Sequence, residues 1–223
     1  MKVKLISYSK PARGMYDEGL TDAQELIAFC ARVSNPSNQF NMDTADKLIK
    51  YLIKHQHWSP LEMVSACLEI ETTRDIARQI LRHRSFSFQE FSQRYADPTK
   101  DLDFVLREAR LQDHKNRQNS IQTDDMALKV WWDAKQKFII DYVKATYAEA
   151  IEKGIAKEQA RAILPEGNTV SRLYMNGTIR SWIHYIQVRR GPETQLEHRA
   201  IADEIAGLLC QEISPHLFLK TDD

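Results

Sequence analysis

Residues 64–70 alternate strictly at period two. Val64, Ala66, Leu68 and Ile70 fall on one side, and Ser65, Cys67 and Glu69 on the other. That spacing predicts a strand with one buried face. It constrains the fold because nearly everything around it repeats at helical spacing instead. Helical apolar periodicity runs through 21–34, 43–56, 72–84, 124–153, 157–164, 179–189 and 193–213. Only two more segments, "KVKLISYS" and "NTVSRLYMN", suggest strands. A few separated strands among many helices predict an α+β fold: helices packed on a small, mostly antiparallel sheet. No repeat, linker or low-complexity tract interrupts the 223 residues, so a single domain over 1–223 is expected.

Local signals refine the boundaries. Thr21 with Gln24, and Thr194 with Glu197, have capping-box spacing. Ser59, Pro60 and Glu62 stand where an N-cap, a first-turn proline and a capping glutamate belong. Gly154 is placed to end the longest helix, and Pro165 to stop a short one. Residues 97–121 are polar and mixed and are expected to form a mobile excursion.

Thirty-one acidic residues balance thirty-one basic ones. Net charge therefore argues against a general role on nucleic acid or an anionic membrane, and any anion site must be local. The three cysteines are scattered, without metal-ligand spacing, so neither a disulfide framework nor a metal site is expected. A reducing, cytoplasmic setting fits them best. No apolar run is long enough to span a membrane. No glycine-rich phosphate loop follows a strand, so a Rossmann-type nucleotide site is not supported.

One stretch breaks the even charge. "ILRHRSFSFQEFSQRYA", residues 80–96, sets arginines among phenylalanines. From 74 to 94 five arginines face only Asp75 and Glu90. Arg74, Arg78 and Arg82 are four apart and would form one stripe on a helix. A surface loop has no need of Phe86, Phe88 and Phe91, and a buried one does not tolerate unpaired arginines. Both demands are met if the aromatics anchor the segment while the donors face a planar anion. Guanidinium forks bind phosphate bidentately, so a nucleotide is the expected ligand. In "RSWIHYIQVRR", Arg180, His184 and Gln187 share a helical face, and Arg189 and Arg190 sit in the last turn.

These residues resemble a known family. Arg82-His83-Arg84, seven residues, then Ser92 matches the signature of the flavin-dependent thymidylate synthases. "CARVS" at 30–34, "HQHWSPLE" at 55–62, "QARAILP" and "RSWIHYIQVR" are similar to its other motifs, in the same order. Gln89, Met63 and Thr178 depart from the residues common at those positions in the family.

The resemblance implies methylation of dUMP to dTMP, with 5,10-methylenetetrahydrofolate as carbon donor, NADPH as reductant and FAD as cofactor in a non-Rossmann site. It also implies a homotetramer with active sites shared between subunits. Matched motif by motif, Ser34, Ser59, Arg82, His83, Arg84, Glu90, Thr178, Arg180 and His184 would contact FAD. Gln79, Ile80, Leu81, Arg82, Glu90, Phe91, Ser92, Gln93, Arg94, Arg161 and Arg189 would bind dUMP. Arg189 would activate the uracil ring by charge, with no cysteine nucleophile.

Overall fold

The computed structural model describes residues 1–218, so the last five residues of the expected domain lie outside the description. In chain order the elements are strand β1 (Lys2–Tyr8), helices α1 (Arg13–Tyr16), α2 (Ala23–Ala31) and α3 (Ala45–Lys54), strand β2 (Ser65–Thr73), helix α4 (Arg74–Ile80) and strand β3 (Ser87–Glu90). There follow α5 (Pro98–Asp101), β4 (Arg110–Gln112), β5 (Ser120–Gln122), the long α6 (Met126–Glu152), α7 (Lys157–Ala160), β6 (Val170–Thr178), α8 (Ile179–Arg189) and α9 (Leu196–Glu212).

The main sheet runs β1-β2-β6-β3, with every neighbouring pair antiparallel. This is the expected α+β class, and it provides no parallel crossover for a Rossmann site. The alternation read in β2 holds: Ala66, Leu68 and Ile70 are buried opposite Gly177, Met175 and Leu173 of β6. The other face is polar and paired across strands. Arg172 holds Glu71 at 2.6 Å, and the Tyr174 hydroxyl donates to Glu69 at 2.7 Å. Helices α2, α3, α4, α8 and α9 cover the apolar face with Ile27, Ile49, Ile76, Trp182 and Ile205, all fully buried.

Several local expectations change. The Arg74 helix stops at Ile80 instead of running through Arg84: Leu81 N–H closes the last turn on Ala77, and the chain then turns into β3. Arg82 therefore leaves the stripe, and Arg74 and Arg78 share Glu90 instead. Asp22, not Thr21, caps α2, accepting from Glu25 N–H at 2.7 Å. Glu62 and Glu197 do not cap their turns, because arginines from elsewhere claim both carboxylates. The 97–121 segment carries α5 and a small β4–β5 hairpin. Arg107 and Arg110 pin this region to Glu197, and Arg107 also holds Asp75 at 2.7 Å. The ends of α6 match the sequence: Asp125 caps it, and Gly154, at φ +81°, follows it.

Among the described residues no helix is long and apolar enough to cross a membrane.

Candidate functional site

The segment rich in arginine and phenylalanine is anchored as its composition demands. Phe86 and Phe88 pack against the core, while Ser87 and Gln89, which alternate with them, are exposed. The Phe86 ring meets Trp182 edge-on at 4.7 Å. Gly177 permits this approach: a Cβ there would come within 2.6 Å of the Phe86 ring. Ser181 Oγ donates to the Ser85 carbonyl, which ties the Arg82–Ser85 turn to the start of α8. Thr178 caps that helix, its hydroxyl oxygen accepting from Ser181 N–H. Threonine is a good N-cap residue, so the start of α8 is held at this position.

Around this turn the structure gathers a first group. Arg189, in the last turn of α8, donates from Nε to His83 Nε2 at 2.8 Å, and from Nη2 to the Gln79 carbonyl at 3.4 Å. His198 and Gln195, from the start of α9, complete the hold on the Gln79 side chain. Burial pushes His83 down to about 4, aided by the charges of Arg189, His184 and Arg82. His83 is thus neutral, with Nε2 free to accept. Burial also lowers Arg189, although a guanidinium keeps its proton at any ordinary pH. Arg189 has no carboxylate partner among the described residues. Arg82, Arg84 and His184 are exposed, with the charge of Arg82 acting on both His83 and Arg189 and that of His184 on His83, whereas Arg180 is engaged by Glu62.

A second group lies on other elements. Arg94 reaches Glu158 of α7 at 3.5 Å, and Lys157 donates to the Tyr95 carbonyl at 2.9 Å. Arg161 directly follows α7, and exposed Ser92 belongs to the same segment. Glu90, at the end of β3, is held by Arg74, Arg78 and Ser171. No hydrogen bond or ion pair among the described residues joins Arg94 or Arg161 to Arg189. Gln93 is 3% exposed, yet its Nε2 has no partner among the described residues. Such an orphan donor marks a place that something else completes. Tyr95 is 86% exposed.

Three expected residues sit apart from these groups. Ile80 is a core side chain and can offer a ligand only its backbone. Ser59 is exposed in the turn over Ser59–Glu62. Ser34 lines a cavity of about 470 Å³ with Arg32, Asn35 and Lys47, between α2 and α3.

The sequence reading missed Tyr185, Gln195 and His198. Helical spacing contained the clue: His198 is in phase with Ile201, Ala202 and Ile205, the buried face of α9. Burial lowers His198 to about 3, with Arg189 and His83 contributing. All three thiols, Cys30, Cys67 and Cys210, are pushed up by burial, the opposite of an activated nucleophile.

The lowered histidines predict how stability depends on pH. An unfolded histidine titrates near 6.5, so as pH falls below that value the unfolded chain binds protons that folded His83 and His198 refuse. Stability is therefore full above about pH 7 and falls from 6.5 down to about 4 through His83 and to about 3 through His198. Melting temperature followed by calorimetry across that range should decline less steeply in His198→Asn. Equal slopes in both proteins would contradict a buried neutral His198.

A family model described as "Thymidylate synthase complementing protein" matches residues 18–216. The chain is 50% identical over 213 residues to the "Probable flavin-dependent thymidylate synthase" of Paramecium bursaria Chlorella virus 1, covering 96% of this chain and 93% of that one. It is 52% identical over 202 residues to the "Flavin-dependent thymidylate synthase" of Synechocystis sp., covering 91% of each. Among solved structures, the UMP/dUMP methylase PolB from Streptomyces cacaoi, bound with 5-Br dUMP, superposes with a TM-score of 0.76. It covers 97% of this chain and 92% of that one at 23% identity, a likeness of fold.

Proposed function

The chain belongs to the flavin-dependent thymidylate synthase family, and from that premise we propose that it methylates dUMP to dTMP with FAD, 5,10-methylenetetrahydrofolate and NADPH. The observation that carries this reading is the state of Arg189. It is a half-buried cation whose partners are a neutral imidazole and a backbone carbonyl. A desolvated charge without a counter-ion is costly, and an anionic ligand relieves that cost.

The residues present fit both nucleotides. Arg82, whose charge acts on Arg189, and Arg84, two residues on, are exposed without an ion pair among the described residues and could take phosphate oxygens. His83, Arg180, His184, Ser59 and Glu90 would complete the flavin side, with Thr178 acting through the start of α8 and Ser34 reached from its own cavity. FAD, when bound, supplies the hydride chemistry that side chains lack. Arg189 would stabilise negative charge on the uracil ring, drawn out over its carbonyls as C5 becomes nucleophilic. Its planar donors suit two carbonyl oxygens, and His83 holds its Nε end in place. Ser92, Gln93, Arg94 and Arg161 would take the phosphate and ribose, with Gln79, Leu81 and Phe91 closing around the base.

No hydrogen bond or ion pair among the described residues links the elements that carry Arg94 and Arg161 to the Arg189 group, and the family resemblance implies that the complete site forms between subunits. Helix α6 supports assembly: Trp131, Phe138 and Tyr142 line one exposed face, Phe138 at 70% and Tyr142 at 66%. A second copy of the chain is the natural cover in a homotetramer. Phe138→Asp should shift the assembly to a smaller species by light scattering and lower turnover at least about tenfold. An unchanged mass would remove α6 from the interface.

The function is tested by anaerobic mixing of the flavin-loaded protein with NADPH and dUMP, watching the flavin bleach, then adding the folate. Bleaching followed by dTMP is the expected result. Flavin reduction without dTMP would limit the protein to nucleotide binding and reduction.

A further inference from the structure

Behind Arg189, three segments distant in sequence meet in one line of hydrogen bonds. Tyr185 and His198 are fully buried. The Tyr185 hydroxyl lies 2.9 Å from His198 Nε2, and His198 Nδ1 lies 3.1 Å from Gln79 Oε1. Gln79 Nε2 in turn lies 3.0 Å from Gln195 Oε1. A neutral imidazole can pass such a line in either direction, depending on which ring nitrogen carries the hydrogen.

The phenol decides the direction. Its O–H has no acceptor but His198 Nε2 among the described residues. An orphaned O–H in the core costs more than an unfilled lone pair on the same oxygen. Tyr185 therefore donates, and His198 Nε2 is the bare nitrogen. The ring hydrogen then sits on Nδ1 and is donated to Gln79 Oε1. That fixes the Gln79 carboxamide, because its oxygen is bound to His198 and its amino group faces away. One amino hydrogen goes to Gln195, and the second is free. The Gln79 backbone carbonyl accepts from Arg189 Nη2, so this second hydrogen belongs to the residue whose backbone Arg189 braces.

We propose that Tyr185 and His198 are a positioning pair that locks Gln79 as a hydrogen-bond donor to a carbonyl oxygen of the uracil base. The proposal rests on the dUMP reading above. Uracil offers carbonyl oxygens, and Gln79 with Arg189 then presents them N–H groups alone. A flipped Gln79 would set its own oxygen against a carbonyl oxygen and repel the base.

Three variants and one spectrum test this. Tyr185→Phe removes the O–H and keeps the ring that fills the core. His198→Leu removes both nitrogens, and His198→Asn retains an N–H near the place of Nδ1. Nitrogen NMR of the flavin-loaded wild type is expected to show the His198 hydrogen on Nδ1. The dUMP KM is expected to rise roughly tenfold in Tyr185→Phe and in His198→Leu, with the NADPH KM unmoved, and to recover in His198→Asn. A hydrogen on Nε2 in the wild type overturns the proposal. So does a dUMP KM unchanged in Tyr185→Phe, whatever becomes of the leucine variant. A wild type with the hydrogen on Nδ1 that fails to bind dUMP sinks the substrate reading, and the donor role with it.

Discussion

Arg189→Ala is expected to lower dTMP formation by about a thousandfold or more while the protein still binds its flavin. The size follows from what is lost. A donor aimed at developing charge in a site sheltered from water is commonly worth about a hundred- to a thousandfold, and Arg189 would present more than one. The remaining chemistry does not compensate, because burial raises each of the three thiols and leaves none activated. Arg189→Lys should recover little, since an ammonium cannot reproduce the planar fork or keep the Nε bond to His83. Flavin absorbance of the purified variant and a dTMP assay check both halves. A variant within about tenfold of wild type would remove Arg189 from the chemistry.

Trp182→Ala is expected to cost about 3–5 kcal/mol of stability. The indole is fully buried, and its N–H donates to the Ala66 carbonyl at 3.1 Å. It also carries the site, because Phe86 and Tyr185 both pack against it edge-on. Truncation would open a cavity beneath the Arg82–Ser85 turn, so flavin retention should fall together with stability. Trp182→Phe should be milder, losing the hydrogen bond and part of the area. Chemical denaturation of the three proteins checks the order, and an alanine variant as stable as the phenylalanine one would contradict the packing account.

The fold class was readable because β2 alternates cleanly and helical periods surround it. What each strand pairs with was not. β2 joins β6 across about a hundred residues, and no local pattern encodes such a partner. β3 was hidden inside the arginine-rich segment. Its four residues alternate, but they fall in the stretch after Arg84 that reads as a loop, and four residues are too few to stand out as a strand; no glycine marks the helix stop at Ile80. The capping boxes at Glu62 and Glu197 failed for a common reason. A carboxylate within reach of a backbone N–H is also within reach of any arginine that tertiary structure delivers, and a charge-assisted pair is the stronger bond.

The same holds at the site. Arg189, His83 and Gln79 were found because sequence motifs carry them. Tyr185 stands inside "RSWIHYIQVR" but on its buried side, and His198 lies outside every quoted motif, so only the meeting of α4, α8 and α9 shows what they do. The pinning of the β4–β5 region by Glu197 is of this kind too, since no composition of a polar segment tells where its arginines dock.

The most direct test of a site assembled from two chains is complementation between two inactive variants. Arg189→Ala damages one group and Arg161→Ala the other. Co-expressed and purified as mixed assemblies, they should regain roughly a quarter of wild-type turnover, because random pairing leaves about one site in four with both arginines intact. Mixed assemblies as inactive as either parent would contradict the account and place both arginines in the same chain's half of the site.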